Sequence, residues 1–68
     1  MTAYFKHNTI SLPLPKFAYL EFERTVKEDD GSYTDVYEVI VEDPSNSKHI
    51  KRVEKALEND PNCIQYVP

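Results

Sequence analysis

The sequence predicts a small α+β fold: a β-sheet, antiparallel or mixed, with one helix packed on one face. Three observations carry that prediction. Two stretches, 17–26 (FAYLEFERTV) and 33–41 (YTDVYEVIV), alternate with period two across an Asp30-Gly31 turn. Residues 48–59 place apolar side chains at helical spacing, and the uncharged run 63–67 (CIQYV) follows as a short strand. Sixty-eight residues make one domain, 1–68. A chain of this size buries only about 60% of its unfolded surface, so its core is small.

The expected element order is β-β-α-β, with room for an extra N-terminal strand. Tyr4 to Leu12 (YFKHNTISL) is weakly patterned and reads as an edge strand or an arm. Leu12-Pro13-Leu14-Pro15 blocks regular structure, because proline fixes φ and restricts the residue before it, so 12–16 is an extended connector. In the first alternating run Ala18, Leu20, Phe22 and Val26 share one side, and Tyr19, Glu21, Glu23 and Thr25 share the other. The second run is rich in β-branched and aromatic residues. Asp30-Gly31 between them is the strongest hairpin signal, since a tight turn needs positive φ.

Loop length then sets which residues share a face. An even-length loop puts Leu20 and Phe22 with Val39 and Val41 and opposes Glu38 to Glu21 or Glu23. A three-residue loop would put Glu38 opposite Phe22, which burial disfavours. The even loop is therefore expected, with the helix covering Leu20, Phe22, Val39 and Val41. Beyond the hairpin, Asp43-Pro44-Ser45-Asn46-Ser47 offers several helix caps, and the helix should run from about Pro44 or Lys48 to Asn59. Ile50, Val53 and Leu57, flanked by His49 and Ala56, form its buried stripe; Lys48, Lys51, Arg52 and Lys55 form the opposite one. Asp60-Pro61 ends it.

Charge is the most informative feature for function. The net charge is −4, but residues 21–43 hold nine acids against Arg24 and Lys27. With an even loop the outer face carries Tyr19, Glu21, Glu23, Val36, Glu38, Ile40 and Glu42. One glutamate pair is then directly opposed, which destabilises a sheet and hints at a use for the acids beyond folding. Glu21, Glu23, Glu38 and Glu42 would form a compact negative lattice, with Tyr19, Tyr33 and Tyr37 supplying the aromatic area that interfaces favour and Asp35 adding charge. The competing reading is a solvated face whose charges prevent edge aggregation. The basic helix stripe reads as a solvated face as well, since a nucleic-acid-binding helix ordinarily sits in a basic domain and this chain has a pI near 5.0.

Other chemistry finds little support. Gly31 is the sole glycine, which excludes a phosphate-cradling loop. His7, His49 and Cys63 match no triad or zinc spacing, and Asp29-Asp30-Gly31-Ser32 lacks the ligand spacing of a calcium loop. No enzyme, metal or cofactor is expected. One cysteine argues against an oxidising compartment, and the N-terminal residues form neither a signal peptide nor a membrane span. The expectation is a cytoplasmic protein, in the host cytoplasm if viral. Its expected function is a small protein-binding module, an inhibitor or regulator of phage type. Its acidic and tyrosine-bearing face would block a basic surface of a larger, nucleic-acid-handling protein. The alternative is an assembly subunit that forms a homodimer through an exposed strand edge, which would relieve the small-core problem.

Overall fold

Period-two and helical patterning resolve into five elements. A computed structural model describes residues 1–67. It contains β1 (Thr2–Lys6), β2 (Ala18–Lys27), β3 (Tyr33–Val41), α1 (Ser47–Leu57) and β4 (Cys63–Val67). The strands form one sheet in the order β2-β3-β1-β4, and every neighbouring pair is antiparallel. This is the α+β class expected, with the N-terminal strand present.

That strand is neither an edge nor an arm. β1 lies in the interior of the sheet, between β3 and β4. Five residues suffice because Ala3 and Phe5 alternate with Thr2, Tyr4 and Lys6, and both apolar side chains are fully buried.

Since β1 and β2 both run antiparallel to the strand between them, residues 7–17 must cross the sheet, and residues 42–62 must cross it again from β3 to β4. Both crossovers use one face. Val53 and Leu57 of α1 join Ala3, Phe5, Ala18 and Val39 in a single buried cluster, against which Ile10, Leu14 and Phe17 of the connector pack. At about 1.5–3 kcal/mol for each fully buried Val, Leu or Phe side chain, four such residues and two alanines make a thin core. Polar contacts lock the two crossovers together. The Phe17 ring stacks on His49 with centroids 3.9 Å apart, and the Ser11 backbone N–H donates to Asp60 Oδ2 at 2.9 Å.

The hairpin departs from expectation in a way that preserves the faces of its half nearer the helix, Ala18–Phe22 against Tyr37–Val41. Glu28 N–H donates to Ser32 O at 2.8 Å and Gly31 N–H donates to Glu28 O at 3.0 Å, which closes a loop of Asp29, Asp30 and Gly31. Three residues fit a type I turn followed by a left-handed position, and Gly31 holds φ +90° there. Asp30 Oδ1 accepts from Ser32 N–H and Oγ–H, and those two bonds hold its carboxyl below the usual carboxylate range. The loop is thus odd, not even, and near the turn Thr25 faces Asp35. Between Phe22 and Arg24 the register shifts by one, with Glu23 as the extra residue. Beyond this bulge Glu21 opposes Glu38, Leu20 opposes Val39 and Ala18 opposes Val41. Loop and bulge are two odd steps that cancel, so the burial requirement is met by a route the even-loop reading did not contain.

Two corrections follow from the geometry. Residues after the bulge change sides, so Val26 pairs with Thr34 on the face opposite Leu20 instead of joining it. Phe22 does sit on the helix side, but α1 does not cover it, and it is 55% exposed. Eleven helical residues span about 16 Å, whereas the ten residues of β2 extend about 33 Å. The distal hairpin therefore projects past the helix, in a molecule of 41 × 20 × 19 Å.

The helix itself starts at Ser47. Asn46 caps it, its side-chain oxygen accepting from the N–H groups of Lys48 (3.0 Å) and His49 (3.4 Å). Asn59, at φ +59°, takes the left-handed position that stops it.

Candidate protein-binding face

Sheet register brings side chains from four strands into rows. On the face away from α1, Glu21, Glu38, Tyr4 and Gln65 form one row across β2, β3, β1 and β4. Arg24, Val36 and Lys6 form the next. Directly opposed residues have Cβ atoms about 4.5–5.5 Å apart, and successive rows on one face lie about 6.7 Å apart.

Val36 explains how this face is organised. It is fully buried although it stands apart from the core cluster and on the opposite side of the sheet. Its cross-strand neighbour Arg24 reaches over it toward β1, placing the guanidinium 5.3 Å from the centroid of the Tyr4 ring. The same guanidinium bonds the Glu23 carboxylate at the bulge. A valine on an open sheet is thus roofed by an arginine held at both ends, by an aromatic face and by a carboxylate.

This arrangement divides the eight residues expected to form the contact surface. Tyr19, Glu21 and Glu38 come together on the open face, Tyr19 being 48% exposed. Glu42 lies just past the end of β3, where its backbone N–H donates to Phe17 O. Glu23 occupies the bulge and is neutralised by Arg24. Tyr33, Asp35 and Tyr37 belong to the opposite face of β3: Tyr37 packs edge-on against Phe22 at 5.8 Å, and Asp35 accepts from Thr25 Oγ–H at 2.9 Å. The four-glutamate lattice therefore reduces to one opposed pair, Glu21 and Glu38, with Arg24 and Lys6 a row away. Among the described residues the only ion pair is Glu23–Arg24, so neither member of the opposed pair has a basic partner.

Sequence reasoning missed Tyr4, Lys6 and Arg24 as members of this face. The alternation in Thr2–Lys6 contained the first two. The third depended on the bulge, which has no local sequence signal.

A second concavity lies at the other end of the sheet. An open groove of ≈ 760 Å³ runs between α1 and β4, with Leu57, Cys63 and Tyr66 along it. Tyr66 O–H donates to Glu54 at 2.8 Å. Partial burial, and then this bond to a carboxylate, push the phenol up to about 12. Burial likewise raises the Cys63 thiol, whose hydrogen points to the Gln65 carbonyl at 3.3 Å. Such a thiol is a weak nucleophile at neutral pH.

Fold and surface together define a small antiparallel α+β protein with one sheet face covered by a helix and the other open, charged and aromatic. Comparison with protein-family models, curated proteins and solved structures gave no match. Among the described residues no helix is long and apolar enough to cross a membrane.

Proposed function

We propose that this chain is a small protein-binding module that seats its open sheet face on a basic patch of a larger partner. The observation that supports it is the Glu21–Glu38 pair: two carboxylates directly opposed, with no base of their own and with Tyr19 exposed beside them. Opposed like charges cost a sheet up to about 1 kcal/mol, a cost that a cationic partner would offset on binding. The specific reading is an inhibitor or regulator of a nucleic-acid-handling protein, the carboxylate row occupying a groove that otherwise takes phosphates. Electrostatic steering would then raise the association rate and make it fall with salt.

The test is capture of a partner from lysate with the wild-type chain and with Glu21→Lys/Glu38→Lys. The double variant should lose capture, and single-stranded DNA should compete with the wild type for the captured protein. Equal capture by the double variant would remove the role of the carboxylates. Capture that is lost in the variant but unaffected by DNA would leave a protein-binding module without the nucleic-acid connection.

A further inference from the structure

We propose that the helix-side face of the distal hairpin, built from Phe22, Tyr33, Asp35 and Tyr37, is a docking site for an arginine side chain on a basic segment of a partner protein. The site lies on the face opposite Glu21 and Glu38 and does not rest on the reading of that pair.

Register creates the site. Tyr33, Asp35 and Tyr37 alternate along β3, so all three stand on the helix side, a carboxylate between two rings at about 6.7 Å spacing. Phe22 stands across the ladder from Tyr37 and meets it edge-on, with centroids 5.8 Å apart. On its other flank Tyr37 pairs with Phe5, whose side chain is fully buried, so the rings continue outward from the core. α1 stops short of them, and Phe22 and Tyr33 stay 55% and 67% exposed. Contiguous exposed aromatic surface of this kind marks a contact site.

Charge decides the occupant. Bare rings alone would suit stacked nucleic-acid bases as well as a cation. Residues 27–35 hold four acids, Glu28, Asp29, Asp30 and Asp35, against Lys27, a balance that repels a phosphate chain and attracts a base. Lys27 stands opposite Tyr33. Among the described residues it makes no ion pair with Asp35, whose side chain accepts only from the Thr25 hydroxyl.

The chain's own arginines show which cation fits. It has two, and both lie over aromatic rings: Arg24 at 5.3 Å from the Tyr4 centroid and Arg52 at 5.7 Å from that of Phe17. Arg24 also bonds the Glu23 carboxylate, so a guanidinium shared between ring and carboxylate already occurs once in this hairpin, on its opposite face. The Tyr33–Asp35–Tyr37 set offers the same two partners, and neither arginine of the chain is left to take them. A guanidinium is planar and weakly hydrated, and it stacks on a ring while forking onto a carboxylate. An ammonium is a compact, strongly hydrated charge that does neither as well. Arginine is therefore favoured over lysine at equal charge.

Titration of the full chain with oligoarginine and with oligolysine of equal length, followed by amide chemical shifts at about 0.15 M ionic strength, tests this. Oligoarginine should bind about tenfold more tightly, with the largest shifts at Phe22 and along Tyr33–Tyr37. Phe22→Ala/Tyr33→Ala should remove the preference, whereas Phe22→Tyr/Tyr33→Phe, which keeps both rings, should retain it. Glu21→Lys/Glu38→Lys should weaken both peptides alike and keep the preference, which separates a failure here from a failure of the Glu21–Glu38 face. Equal binding of the two peptides by the wild type overturns the proposal. So does a preference that survives the double alanine variant or disappears with the Glu21/Glu38 reversal. Tighter binding of oligothymidylate than of oligoarginine, or a dimer of the chain that the alanine variant dissociates, would assign the patch to a nucleic acid or a second copy and overturns it equally.

Discussion

At the scale of single residues, the fold depends on a few polar contacts between segments that have little apolar surface to share. Asp60 is the clearest. It is buried, its Oδ2 accepts from the Ser11 backbone and its Oδ1 from the Asn62 backbone, both at 2.9 Å. One carboxylate therefore ties the proline-rich connector to the turn that launches β4. In the sequence Asp60 reads only as part of a helix stop before Pro61, because its acceptor role depends on a residue 49 positions away. Asp60→Ala leaves two backbone donors without their partner, each lost bond to a charged acceptor being worth about 1.5–3 kcal/mol. We expect a loss of roughly 3 kcal/mol in urea unfolding, large for a chain this size. Asp60→Asn, which keeps an acceptor, should lose about half as much. A loss below 1 kcal/mol for the alanine variant would show that water replaces the carboxylate and that the clamp is not needed.

At the scale of elements, the hairpin shows what alternation can and cannot specify. The apolar pattern of Leu20, Val39 and Val41 dictated a shared face, and that face is realised; the helical stripe Ile50, Val53 and Leu57 and the strand Cys63–Val67 were equally legible. Patterning did not reveal how the face is reached. Loop length depends on which residue takes positive φ, and Gly31 serves a two-residue turn as well as a three-residue one. The cancelling bulge is invisible because Glu23 is polar on either side of the strand. β1 was underrated for a similar reason: five residues with two apolar positions carry little signal beside the prolines that follow. The bulge yields a sharp expectation. Deleting Glu23 leaves Arg24 opposite Val36 and Phe22 opposite Tyr37, the pairs already present, as a regular ladder with every face kept. A one-residue deletion in the middle of a strand should therefore change stability by no more than about 1 kcal/mol. Deleting Glu38 from β3, which has no spare residue, would carry Val39 from the core to the open face and should abolish the folded state. Circular dichroism melts of the two deletions decide it, and equal destabilisation would mean that Glu23 is more than a spacer.

At the scale of the whole molecule, charge and core size act against each other. The −4 chain is elongated, and nine of its twelve acids fall within 21–43, most of that segment forming a hairpin that extends beyond the helix. The cluster repels itself in the native state and has little covered apolar surface to offset that repulsion. Exposed charges about 5–7 Å apart lie within the Debye length at low salt and are largely screened near 1 M, where that length falls to about 3 Å. Stability should therefore rise as monovalent salt increases. Glu21→Gln removes one member of the opposed pair and should gain about 0.5 kcal/mol at low salt, the gain fading as salt rises, because screening then does what the substitution did. Chemical denaturation in urea, which adds no ions, measures both effects. A variant no more stable than the wild type at low salt would mean that the two carboxylates diverge into solvent, and the self-repulsion that motivates a basic partner would have no measurable energy behind it.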